Sequence, residues 1–161
     1  KYSETIARKL LTKLRFSNNE INNVCHLIEN HMFHYEESWS DAAIRRFVVR
    51  VKPENIEDLI DLRLADMYGK YNMPIQIKES NACDLLIQLQ DRIKKIQEEN
   101  SAFTLKSLAV CGKDLMEIGI PSGKLIGKIL DSLLETVLDD PKQNSKDVLL
   151  NIAKNLYEQM K

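Results

Sequence analysis

The segment Gly119-Ile120-Pro121-Ser122-Gly123-Lys124 holds two glycines and a proline in six positions, with Lys128 one helical turn beyond it and Lys113 shortly before. A sharp turn that opens a helix leaves main-chain N–H groups unpaired and puts the positive end of the helix dipole beside them, which together attract a phosphate. Lys124 and Lys128 add charge at that end. The same residues also have a purely architectural reading: Gly119 closes one helix, Gly123 relieves the turn, and Gly127 lets two helices touch. A second basic group, Arg45, Arg46 and Arg50, places three arginines within six residues. It would meet RNA phosphates or pair internally with Glu54, Glu57, Asp58 and Asp61 of the following segment. His31 and Asp66 form a third group. His31 falls on the side of Val24, Leu27 and Ile28, and Asp66 continues the spacing of Leu59 and Leu62, so both are expected to face inward. There each would be a metal ligand or a buried polar group satisfied by hydrogen bonds.

These residues need helices to position them, and helical periodicity runs through the chain. Ile6, Leu10, Leu11 and Leu14 make one face of an amphipathic helix over Ser3 to Leu14. Because the chain opens almost inside this helix without a leader, it is expected to be cut from something longer. Ser17 with Glu20 has capping-box spacing ahead of Ile21, Val24, Leu27 and Ile28. Tyr35 to Trp39 reads as a loop. Ser40 caps a helix carrying Ala43, Ile44, Phe47, Val48 and Val51, and Pro53 opens another that Gly69 is expected to end.

Lys70 to Lys78, with Pro74, reads as a connection, and a long helix follows from about Asn81 to Glu98. In the last part, a short helix ends at Gly119, a longer one carries Leu125, Ile126, Ile129, Leu130, Leu133, Leu134, Val137 and Leu138, and a final one starts at Asn144 or Ser145. Gly127 interrupts the longer helix at about 1 kcal/mol relative to alanine, which argues for close backbone approach there. The helices around Gly119 to Lys128 resemble a helix-hairpin-helix unit.

No β-period alternation of useful length occurs, so the fold is expected to be all-α, with two helical subdomains joined by a long helix. The divisions fall at 1–70, 71–100 and 101–161. With 161 residues and a net charge of −1, composition gives no support to nucleic-acid binding, and residues 101–161 alone carry eight lysines and eight acids. Any such role belongs to a local patch. Cys25, Cys83 and Cys111 are too far apart for a zinc or disulfide framework and read as reduced thiols, and the absence of a transmembrane run or secretory pattern makes a cytoplasmic setting the expectation.

Two blocks carry a family resemblance. LRFSNNEINNVCHLIENHMFHYEESWSDAAIRRFVVRV followed by LIDLRLADMYGK resembles the late part of an HD-type helical domain, and LKSLAVCGKDLMEIGIPSGKLIGKILDSLLETVLDDP is similar to a tail block. In this order they resemble the C-terminal half of a bacterial tRNA nucleotidyltransferase of the poly(A) polymerase family, which includes the CCA-adding enzymes.

The resemblance implies a parent enzyme that adds nucleotides from CTP and ATP to tRNA 3′ ends, using magnesium held by carboxylates of a catalytic head upstream of Lys1. Within this chain Gly112-Lys113-Asp114 is the nearest imitation of those carboxylates, but Met116 stands where a second aspartate is needed. No His is followed by Asp, so the HD signature is missing as well; His31 and Asp66 match the positions of later HD ligands. The tail's implied role is to grip tRNA, which makes Lys113, Gly123, Lys124 and Lys128, with Arg45, Arg46 and Arg50, the RNA-binding candidates. The alternatives are an HD-type metal-dependent phosphohydrolase fragment using His31 and Asp66, and a helical interaction module without chemistry.

Overall fold

A computed structural model describes residues 2–71, 81–99 and 104–160. These residues are all-α, as the periodicity requires. The helices are α1 (Tyr2–Lys13), α2 (Asn18–Asn30), α3 (Asp41–Val51), α4 (Ile56–Tyr71), α5 (Asn81–Glu99), α6 (Gly112–Glu117), α7 (Lys124–Asp139) and α8 (Lys146–Gln159). Short 3-10 turns lie at Pro53–Asn55, Leu105–Ser107 and Pro141–Gln143. Most of the connection expected over Lys70 to Lys78 lies outside the described residues. Among the described residues no helix is long and apolar enough to cross a membrane.

The chain divides into two compact units, one of Lys1–Trp39 with Phe47–Ile93 and the other of Ser40–Arg46 with Lys94–Lys161. Helices α3 and α5 each contribute to both.

In the first unit, α2 starts on the expected capping box: Glu20 N–H donates to Ser17 Oγ, and Ser17 N–H donates to Glu20 Oε2 at 2.8 Å. Ile21 and Cys25 point from α2 into a core with Phe47, Val48, Val51, Leu59, Ile60 and Leu89. Burial pushes the Cys25 thiol up from its ordinary value, whereas Cys111 in the other unit is exposed. Phe33, Tyr35, Trp39 and Phe47 form an aromatic cluster around the loop after α2, with ring centroids 4.9–5.7 Å apart. Helix α1 packs on α2, and Arg8 donates to Asn22 Oδ1 at 3.0 Å. Its expected apolar face is nonetheless open, with Ile6, Leu10 and Leu14 49%, 53% and 59% exposed. Helix α4 runs through Gly69 to Tyr71 instead of stopping there.

In the second unit, α7 is the central element. Ile129, Leu133, Leu134, Val137 and Leu138 are buried along one stripe, together with Leu115 of α6 and Leu149 and Ala153 of α8. Each fully buried aliphatic side chain of this size stabilises by roughly 1.5–3 kcal/mol. Asn144 fastens the strap before α6: its Oδ1 accepts from Ala109 N–H at 2.8 Å, and its Nδ2 donates to Ser107 O at 2.9 Å.

Candidate nucleic-acid interface

Helices α6 and α7 form the expected hairpin. Gly119 adopts φ 92°, its N–H donates to Met116 O at 3.0 Å, and Ile120 N–H donates to Leu115 O at 3.1 Å. This is the Schellman arrangement, in which the left-handed residue satisfies two carbonyls of the ending helix. The buried side chains of Leu115 and Ile120 pin the turn beneath it. Gly123 is the N-cap of α7 with φ 131° and ψ −160°, a region essentially reserved for glycine.

Gly123 has no side chain with which to cap the helix, and no other side-chain cap is present. Pro121, Ser122, Gly123 and Lys124 are all exposed. The Ile126 N–H returns to Gly123 O at 3.2 Å, while no side chain caps the first amides of α7 at the positive end of a sixteen-residue helix. Lys113, Lys124 and Lys128 are exposed, and among the described residues no carboxylate lies within 4.0 Å of their ammonium groups. One hairpin thus carries Lys113, Gly123, Lys124 and Lys128.

Close helix approach occurs at a different glycine from the one expected. A Cβ on Gly127 would meet nothing within 4 Å, whereas one on Gly112 would lie 3.3 Å from a methyl group of Ile126. The glycine at the α6–α7 contact is therefore Gly112.

The arginines take two roles, and the expected acidic partners in the next helix are used by neither Arg45 nor Arg46. Arg45 is buried, its Nε donating to Leu138 O at 2.6 Å and its guanidinium to Asp139 O at 3.1 Å. It closes the C-terminal end of α7, where carbonyls lack helical partners, so it is turned away from any outside phosphate. Arg46 pairs with Glu135 at 2.7 Å and Asp139 at 2.8 Å. Both acids lie toward the far end of α7 from Lys124, roughly 16 and 22 Å along the axis at the usual rise per residue. Arg50, in the first unit, is exposed, its guanidinium carbon 5.5 Å from the Phe47 ring centroid.

His31 and Asp66 are both half-buried, short of the interior that their spacing suggested. His31 is the half-buried C-cap of α2, its Nδ1 2.7 Å from Ile28 O. Asp66 has a side chain 40% exposed and lies 3.4 Å from Arg63. Among the described residues no group of three or more His, Cys, Asp or Glu is arranged to hold a metal ion. His26 is half-buried with Nε2 2.8 Å from Val51 O.

Nor do the residues present fit a magnesium pair at Asp114. One of its oxygens accepts from Cys111 N–H at 2.7 Å, capping α6, and the other accepts from Lys146 Nζ. These bonds hold the Asp114 carboxyl well below the usual carboxylate range, Lys146 first and the Cys111 backbone second.

The described residues thus form an all-α fold with a glycine-capped hairpin and exposed lysines. Residues 1–153 match the family model described as tRNA nucleotidyltransferase domain 2, and the chain belongs to that family. No curated protein matches the chain, and no solved structure does.

Proposed function

We propose that this chain is the tRNA-binding body and tail of a tRNA nucleotidyltransferase, which adds CCA, or A alone, to tRNA 3′ ends. In this reading CTP, ATP and magnesium belong to a catalytic head outside these residues, and the chain's own part is to hold the substrate. Family membership supplies tRNA as the substrate. The observation that carries the binding role is the exposed start of α7: no side chain caps its first main-chain amides at Gly123–Lys124, and Lys113, Lys124 and Lys128 flank them without acidic partners among the described residues. Amides and ammonium groups recognise phosphates without reading bases, which suits a protein that grips a folded RNA by its shape.

Two measurements test this. Incubated with magnesium, CTP, labelled ATP and tRNA lacking its 3′ end, the chain gives no extension; extension would put the reaction centre within these residues. A salt titration of tRNA binding gives a steep fall in affinity, and Lys124→Glu or Lys128→Glu lowers both affinity and the salt slope, by about one unit for each phosphate no longer neutralised. Unaltered binding by both variants removes the hairpin from the interface.

A second reading, a helical interaction module without chemistry, draws on the open apolar face of α1. It gains if tRNA fails to bind even at low salt.

A further inference from the structure

We propose that the first unit holds a second, separate RNA-binding site: a cleft that takes one unpaired nucleotide, with its base against Trp39 and its phosphate on Arg50. The cleft encloses ≈ 310 Å³, and its lining includes Glu29, Asn30, Phe33, His34, Trp39 and Arg50. That volume is at the lower end of small-ligand sites. It joins the three things a single nucleotide needs, namely an aromatic wall, a cation and fixed polar atoms.

The aromatic wall is rigid. Trp39 is held edge-on by Tyr35, with centroids 5.5 Å apart, and by Phe47 at 5.7 Å, while Phe33 lies 4.9 Å from Phe47. A ring fixed in this way offers a base a stacking partner without first having to be ordered. Arg50 is the cation. Unlike Arg46 it has no carboxylate within salt-bridge distance among the described residues, and unlike Arg45 it is not spent on main-chain carbonyls; it is steadied over the Phe47 ring. A planar guanidinium is suited to a phosphate group.

The polar atoms narrow the choice of base. Asn30 Nδ2 donates to His26 O at 2.9 Å, which orients the amide and leaves Oδ1 to accept. Glu29 at the same cleft is also an acceptor. Two acceptors match the exocyclic amine of adenine or cytosine and disfavour uracil, whose corresponding edge is a carbonyl. His34, exposed and 3.5 Å from Glu36, adds a second nitrogen-bearing ring at the opening.

The choice of a nucleotide over another planar anion rests on the tRNA-binding reading, but the cleft lies in the other unit from the hairpin, so the two are separately testable. Trp39 is the chain's sole tryptophan, and its fluorescence reports directly on the site. The full chain is titrated at low salt with a short single-stranded oligoribonucleotide of alternating C and A, a U-only oligoribonucleotide, and AMP. The expected result is saturable quenching of Trp39 by the C/A oligonucleotide, weaker by the U-only one and by AMP. Arg50→Gln weakens binding of the C/A oligonucleotide about tenfold, equivalent to about 1.4 kcal/mol, with helical circular dichroism unchanged, and Arg50→Lys weakens it less. No saturable quenching, or quenching indifferent to Arg50→Gln, overturns the proposal. AMP binding as tightly as the oligonucleotide would overturn the RNA assignment in favour of a free-nucleotide site. In parallel, tRNA affinity is read with Lys124→Glu: a fall in affinity there while Trp39 stays silent sinks the cleft alone. Quenching by the oligonucleotide with no tRNA binding would sink the body-and-tail reading and leave the cleft standing.

Discussion

Lys146, at the first position of α8, forms an ion pair with Asp114, the residue whose other carboxylate oxygen caps the start of α6. One carboxylate thereby ties the first leg of the hairpin to the last helix of the chain.

This tie makes stability acid-sensitive in a defined direction. Lys146, first, and the Cys111 amide hold the folded Asp114 carboxyl below its ordinary value. Its contribution is therefore complete above the unfolded carboxylate range, near about 3.9, and fades as pH falls through that range toward the folded value. Thermal unfolding of Asp114→Asn against the parent should show a gap that is widest near neutrality and shrinks in acid. A gap independent of pH would mean the carboxylate's charge plays no part.

Arg45 and Arg46 are adjacent yet should behave very differently. Arg45→Met strips two carbonyls of a donor in a buried setting and is expected to cost about 2–4 kcal/mol in urea unfolding. Arg46→Ala removes ion pairs whose side chains are 41–61% exposed, and should cost no more than about 1 kcal/mol. Comparable costs would contradict the assignment of Arg45 as the closure of α7.

The two glycines of α7's first turns should respond with opposite sign. Gly127→Ala places a methyl in open space on a helix and is expected to stabilise by about 0.5–1 kcal/mol. Gly123→Ala forces a side chain into a backbone region it avoids and should destabilise by about 1–3 kcal/mol. Urea midpoints of the two variants decide the matter, and a destabilising Gly127→Ala would revive close packing at that position.

Manganese or zinc, added after chelator treatment, should leave the melting temperature unchanged. A metal bound to the native state would raise it in proportion to the logarithm of its concentration. Arg63 already neutralises Asp66 and Ile28 O engages His31, so a concentration-dependent rise abolished by Asp66→Asn would restore the metal reading.

How much of this was legible beforehand depended on range. The stripe of α7 was plain because Leu133, Leu134, Val137 and Leu138 repeat at helical spacing, and the Ser17–Glu20 box was plain because both partners sit within one turn. For Arg45 the sequence offered RNA phosphates or acids close by as partners, whereas its acceptor lies 93 positions away. Nothing local marks a carbonyl that has no helical partner. Gly127 and Gly112 exchanged roles for a similar reason: a glycine's type says that a methyl is unwelcome somewhere, but only the packing of Ile126 says where. Asp66 followed the spacing of Leu59 and Leu62, yet the buried side of α4 is marked by Leu59, Ile60 and Met67 with Leu62 only half-buried, and Asp66 comes to the rim beside Arg63. Trp39 and Arg50 come from a loop and a helix, so the cleft they line had no motif to announce it.

The short stretch Ser40–Arg46 is grouped with residues far downstream, while the segments on either side of it belong to the other unit. A polypeptide started after Glu99 would thus leave behind the guanidinium that seals its principal helix, and one stopped there would carry that arginine with nothing to seal. The two bodies are interleaved along the gene, and any division at a single point maims at least one of them.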